Sequence, residues 1–250
     1  MNIKMTNKIE FLNTPSKEEP FLIISKPSRL PTAPLSAKDT NNALYLAAQQ
    51  FPQILTVNGK KQIEYGLIHR IDTVTQGLVL IATTQESYNF FIEQQKNNNF
   101  TKYYTAICEN KKNLLQGFPP FVQNVDLVSK KSFSISSYFR YYGQGRKEVR
   151  PIPVENQNIT QQKKVEGSKI YTTNVKIVAI NNQNVQVECQ ITNGFKHQVR
   201  SHLAWANLPI QNDPLYNPQT NNLQIQFFAS KLEFIHPITN KKITFQKDFL

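Results

Sequence analysis

Leu78-Val79-Leu80-Ile81-Ala82 is apolar without a break, rich in branched side chains and opened by Gly77. A run of that length and composition reads as a strand buried on both faces, which puts it inside a sheet rather than at its edge. Directly before it runs the polar loop His69-Arg70-Ile71-Asp72-Thr73-Val74-Thr75-Gln76, entered from the apolar Leu67-Ile68. Asp72 therefore stands at the mouth of a core strand, where a catalytic acid can be held in place. A carboxylate that merely caps a turn has the same appearance.

The rest of the chain supplies further strands. Phe21-Leu22-Ile23-Ile24 reads as one, followed by a loop, residues 26–32, stiffened by Pro27 and Pro31. Asn42 to Gln50 suggests a short helix. Thr83 with Glu86 forms a capping-box pattern ahead of Tyr88, Phe91 and Ile92 at helical spacing, a helix that should stop in Asn97-Asn98-Asn99. Lys102 to Glu109 alternates like a strand, and residues 110 to about 169 are loop-rich. Thr172 to Ile180 and Val185 to Ile191 read as a hairpin around Asn181-Asn182-Gln183-Asn184. His197 to Ala206 reads as a helix ended by Asn207 and Pro209. Leu223 to Phe228 and Leu232 to Ile235 form a second strand pair, with Ile243 to Phe245 beyond it. The expected fold is α+β, a mostly antiparallel mixed sheet with flanking helices and loops. Residues 1–19 are expected as a flexible lead-in and residues 20–250 as one domain.

Lys and Arg outnumber Asp and Glu by 29 to 17, a net charge of +12. That balance favours a polyanionic partner such as nucleic acid or an acidic membrane surface, and a basic soluble protein with scattered lysines is the plain alternative. Cys108 and Cys189 each sit inside a strand-like run and outside any Cys-x-x-Cys pair, so they read as small buried hydrophobes. No structural metal is implied, and no run reaches the roughly 18 apolar residues of a membrane span. A cytoplasmic, soluble monomer is expected.

Three more segments join Asp72 as candidate chemistry. Asn193-Gly194-Phe195-Lys196-His197-Gln198-Val199-Arg200-Ser201-His202-Leu203 brings a glycine turn to a helix start with Lys196, His197 and Arg200, which suits phosphate. His197 and His202 are five apart and do not share a face as a zinc-binding i, i+4 pair does. The others are Lys102-Tyr103-Tyr104-Thr105-Ala106, and Lys26-Pro27 with Leu30-Pro31-Thr32.

In this order the segments resemble the RluA-type family of RNA pseudouridine synthases. His69-Arg70-Ile71-Asp72-Thr73-Val74-Thr75-Gln76-Gly77-Leu78 resembles the family's His-Arg-Leu-Asp, two residues, Thr-Ser-Gly-Leu. His197-Gln198-Val199-Arg200-Ser201-His202-Leu203 resembles His-Gln-Ile-Arg-x-His-Leu. Pro209-Ile210 with Asp213-Pro214-Leu215-Tyr216 resembles Pro-Ile-x-Gly-Asp-x-x-Tyr, and Phe234-Ile235-His236-Pro237 the closing Phe-x-His-Pro. The similarity runs from Phe21 to Phe245 and implies the sheet of that family's catalytic domain. It implies conversion of uridine to pseudouridine in structured ribosomal or transfer RNA, with no cofactor and no metal.

By the same resemblance Asp72 is the essential aspartate, Arg200 its cationic partner and Tyr104 the tyrosine that stacks on uracil near its C5 proton. Tyr103 and Tyr104 alternate in a strand, so one of them belongs to the core. Arg70 resembles the arginine that fills the helix stack when the base leaves, and His69 supports the loop. Lys26, His69, Lys102, Lys196 and His197 are expected on the RNA side. So is the irregular middle with Lys130-Lys131, Arg140, Arg146 and Lys147 among tyrosines, although a solvated insertion with aromatics packed on the body reads equally well.

Gln76 stands where the family has serine, Phe195 where it has arginine, and Gln211-Asn212 replace a residue and glycine before Asp213. These departures leave the catalytic groups in place and bear on RNA choice. The segment before Phe21 has no room for the S4 domain of many relatives, so recognition is expected from the catalytic domain. An RNA-binding or ribosome-assembly protein with a dormant site is the alternative; a glycosidase or nuclease is a third reading that lacks an obvious second carboxylate for Asp72, since Glu64 and Asp213 are distant in sequence and only folding could bring one close.

Overall fold

The computed structural model describes residues 8–111, 116–121, 131–155, 165–218 and 223–250. Its strands are β1 (Glu10–Phe11), β2 (Phe21–Lys26), β3 (Gln76–Ala82), β4 (Thr101–Glu109), β5 (Ser132–Tyr142), β6 (Glu148–Pro153), β7 (Tyr171–Asn181), β8 (Asn184–Ile191), β9 (Phe227–Ile235) and β10 (Lys242–Gln246). Its described α-helices are α1 (Ala43–Gln50), α2 (Gln85–Lys96) and α3 (Gln198–Trp205). β1–β2, β2–β3, β5–β6, β5–β7, β7–β8 and β9–β10 pair antiparallel and β3–β9 pairs parallel, so the sheet structure is mixed and the class is α+β. No described helix is long and apolar enough to cross a membrane.

The chain divides into two compact units, one of residues 1–102 with 228–250 and one of residues 103–227. In the first, strands run in the order β1, β2, β3, β9, with β10 on β9. β3 is buried along Gly77 to Ala82, as its unbroken apolar run requires. Its start is parallel to β9, Gln76 facing Phe228 and Gly77 facing Ala229. Gly77 has φ of 137°, and a Cβ there would lie 2.3 Å from the Ala229 carbonyl oxygen, so only glycine fits. The core is aromatic: Phe21 meets Phe91, Phe234 and Phe245 edge to face at 5.7, 5.5 and 6.0 Å.

The structure departs from expectation in three places here. The supposed lead-in carries a strand: β1 pairs with β2, and Asn13 bonds the Ile23 amide and the Phe21 carbonyl. The capping box lies one residue later, Thr84 with Ser87, because the Thr83 amide is engaged by the Pro20 carbonyl. The strand expected as two pieces around residues 229–231 runs unbroken as β9, since Lys231 and Leu232 pair with Gln246 and Phe245 of β10.

The second unit has the order β4, β8, β7, β5, β6. β7 and β8 form the expected hairpin, with Asn181 facing Asn184 and Asn182 in left-handed backbone at the turn. The stretch read as loop-rich contains the long strand β5. Serines dilute its pattern, but Phe133, Ile135, Ser137 and Phe139 are all buried on one face. Ser137 belongs there because its hydroxyl meets the buried His202 Nε2 at 2.9 Å. Lys130 lies outside the described residues.

Candidate active site

In the first unit Asp72 sits at the apex of a segment that folds back on β3. The Ala82 amide donates to Gly66 and the Ile68 amide to Leu80, so residues 66–68 run beside β3 before the chain turns. The turn closes with the Thr75 amide on the Asp72 carbonyl at 3.0 Å. Its remaining carbonyls are held from the loop after β2. Thr32 Oγ1 donates to Ile71 O at 2.7 Å and accepts from the Ile71 amide at 3.3 Å. Ser28 Oγ donates to Val74 O at 2.7 Å.

Lys26 completes this brace. Its ammonium donates to the carbonyls of Leu30, Pro27 and Thr73 at 2.7, 2.8 and 3.3 Å. The side chain is fully buried, so the expectation that Lys26 contacts RNA is corrected: it ties the two loops together. Burial lowers its pKa to about 7, and the Asp72 carboxylate works against that shift by favouring the ammonium. Asp72 itself is half-buried.

His69 is also corrected as an RNA contact. Both ring nitrogens are buried without a hydrogen-bond partner, and the ring lies edge-on to Phe100 at 5.3 Å. Burial, with the nearby Lys102, holds its pKa well below the usual histidine range, so the imidazole is neutral. Lys102 is buried too, its Nζ 5.4 Å from the Phe100 ring centre, which removes it as an open phosphate contact. Arg70 is exposed and reaches Glu64 at 3.0 Å, a carboxylate that Lys61 shares at 3.3 Å.

In the second unit Arg200 is buried on α3. Its Nε and Nη2 donate to Asp213 Oδ2 and Oδ1 at 2.8 and 2.7 Å, a bidentate pair. Asp213 is fully buried and also accepts from the Leu215 and Tyr216 amides at 2.9 and 3.1 Å. Tyr216 bonds the Val149 carbonyl and amide at 2.9 and 3.0 Å, and its hydroxyl lies 3.2 Å from His197 Nδ1. His197, expected on the RNA side, is half-buried and touches this buried support through its Nδ1. Tyr104 shares the buried face of β4 with Ala106 and Cys108 and stacks flat on Phe227 at 5.1 Å. Lys196, Arg146 and Lys147 are exposed, while Arg140 is half-exposed beside Tyr142.

The pattern of residues named Asp213 within a motif and as a carboxylate for Asp72, and gave no sign that it holds Arg200. Ser28 had no signal, Thr32 was named only within a candidate segment and Glu64 only as a carboxylate for Asp72, because a hydroxyl or carboxylate acquires its role from what folding places beside it.

Residues 20–205 match the family model described as RNA pseudouridylate synthase. A Bacillus subtilis protein named uncharacterized RNA pseudouridine synthase YhcT is 26% identical over 232 residues, covering 92% of this chain and 66% of the relative. The Neisseria meningitidis (strain MC58) ribosomal large subunit pseudouridine synthase D is 22% identical, covering 92% and 56%. The chain thus spans two thirds or less of the length of these relatives. Among solved structures, human RNA pseudouridylate synthase domain containing 1 superposes with a TM-score of 0.66 at 15% identity, covering 100% of this chain and 86% of that one.

Proposed function

Since the chain belongs to the RNA pseudouridylate synthase family, matched over residues 20–205, we propose that it isomerises uridine to pseudouridine in structured RNA, with Asp72 as the essential carboxylate. The observation that carries this reading is the brace around Asp72, where Thr32, Lys26 and Ser28 hold the carbonyls of residues 71, 73 and 74. A half-exposed carboxylate on so fixed a backbone is pre-organised for one task.

The reaction breaks the bond from N1 to C1′, turns the uracil, and joins C5 to C1′. One proton leaves C5 and one ends on N1, so there is no net redox change and the chemistry needs no redox cofactor. The ionised Asp72 carboxylate either attacks the sugar or removes a proton to form a glycal intermediate. Arg200 is proposed as its cationic partner: Asp213 takes the Nε and Nη2 donors, and the Nη1 side of the fork suits a second carboxylate. Tyr104 is proposed to stack on the base and accept the C5 proton, and Arg70 to fill the stack that an extruded uridine leaves.

Ribosomal RNA in the cytoplasm is the proposed substrate, since one relative is named for the large ribosomal subunit. The glycosidase reading is disfavoured, because Asp213 is fully buried against Arg200 and Glu64 is tied to Arg70 and Lys61.

The test is pseudouridine mapping across RNA from cells with the unaltered protein, without it, and with D72N. A position lost in both altered strains, while D72N still binds RNA, supports the synthase. Modification that persists with D72N overturns it.

A further inference from the structure

We propose that the second unit carries an RNA-docking surface formed by the β5–β6 turn and the loop before α3, whose phosphate position is occupied in the unbound protein by the carboxylate of Glu166. It rests on the synthase reading for the identity of the polyanion as RNA.

The turn after β5 presents its cations on an aromatic floor. Arg146 has left-handed backbone, φ of 54°, a conformation that disfavours non-glycine residues and that recurs at functional sites. Its guanidinium lies 4.1 Å from the Tyr141 ring centre. Lys196 reaches the same ring at 5.8 Å and donates to the Arg146 carbonyl at 3.1 Å. Lys147 follows in the same turn, exposed. Lys169 stands at the neighbouring Tyr171, 5.9 Å from its ring centre, and bonds Asn193.

Phe195, where the family pattern has arginine, organises the floor. It stacks flat on the buried Phe139 at 5.1 Å and meets Tyr171 and Tyr141 at 5.2 and 5.6 Å. Phe195 thus packs among the rings that carry the cations, Tyr141 beneath Arg146 and Lys196 and Tyr171 beside Lys169. Cations that track a backbone beside rings that can stack on bases are the recognition chemistry of nucleic acid.

Glu166 lies against this group. Its amide bonds the Phe139 carbonyl at 2.8 Å, and its carboxylate accepts from Arg146 Nη2 at 2.8 Å. Both side chains are open, Arg146 at 63% and Glu166 at 48%, so an incoming phosphate can displace the carboxylate. Glu166 therefore competes with RNA for Arg146 and sets the affinity of the surface.

The probe is a fluorescein-labelled RNA stem-loop with an unpaired uridine-rich loop, titrated by anisotropy over a series of salt concentrations. E166Q should tighten Kd about 2- to 5-fold, the range a surface ion pair supports. R146A/K147A/K196A should weaken it by about 10-fold or more at low salt and flatten the salt slope by about 2 to 3. In an R146A background E166Q should have no effect. An unchanged Kd in E166Q, or an unchanged slope in the triple variant, overturns the assignment. Pseudouridine formation by the unaltered protein is assayed in parallel. Conversion with insensitive binding defeats the surface alone, and binding that follows the pattern without conversion defeats the synthase reading alone.

Discussion

Arg200 and Asp213 meet edge to edge, Nε on Oδ2 at 2.8 Å and Nη2 on Oδ1 at 2.7 Å, with side-chain exposures of 2% and 0%. A guanidinium so buried is fixed in plane and direction, which is what a partner for a reacting carboxylate needs. Removing one member leaves the other as an uncompensated buried charge. D213A should therefore destabilise the protein by about 3–5 kcal/mol, read by urea unfolding. R200K should keep the charge but lose the bidentate geometry, and turnover is expected to fall about 100-fold or more. Near-normal turnover in R200K would remove the guanidinium from the chemistry.

Thr32 both donates to and accepts from Ile71, the residue before Asp72. T32V preserves the shape and leaves that buried amide and carbonyl without their partner, at an expected loss of about 1–3 kcal/mol. Because the loop that carries Asp72 is then released, kcat should fall more than KM rises. T32S should restore both, and a T32V enzyme with full kcat would show that the brace does not position the aspartate.

Lys26 gives a pH dependence of defined sign. Its folded pKa of about 7 lies below the ordinary lysine value of 10.5, so between these values the unfolded state binds the additional proton. Its contribution to stability accordingly rises with pH from about 7 to 10.5, and is flat below 7, where the burial penalty on the ammonium is fully present. K26M should lack this slope. Urea unfolding of both proteins at about pH 6.5, 8 and 9.5 measures it, and parallel profiles would contradict the shifted pKa.

Tyr104 lies flat on Phe227, ring to ring at 5.1 Å. Y104F keeps that stack and loses only the hydroxyl, so stability should change by less than about 1 kcal/mol. If the phenol accepts the C5 proton, turnover should drop about 100-fold or more with RNA affinity retained. Y104A should lose stability as well, by about 3–5 kcal/mol. Full turnover in Y104F would leave the residue a packing role.

Much of this was legible in the chain, where the signal is local. The uninterrupted run of β3, the alternation of β7 and β8 about their turn, and the apolar spacing of α2 each follow from which neighbours a strand or helix places on one face. Legibility failed where a long-range partner decides the outcome. β5 was hidden by its serines until His202, 65 positions away, explained why Ser137 is buried. The start of α2 shifted by one residue because Pro20 takes the Thr83 amide.

The site divides the same way. The sequence by itself determined that Asp72 stands at the mouth of a core strand and that its surroundings resemble a synthase, because both rest on contiguous residues and their order. Only the tertiary structure decided that Lys26 is internal and the His69 ring nitrogens are buried, that Thr32, Ser28 and Lys26 hold the aspartate loop, and that Asp213 holds Arg200. A lysine written next to a proline has the same chemistry in solution as any other. Its burial, its carbonyl partners and its pKa of about 7 arise when packing removes water from around it.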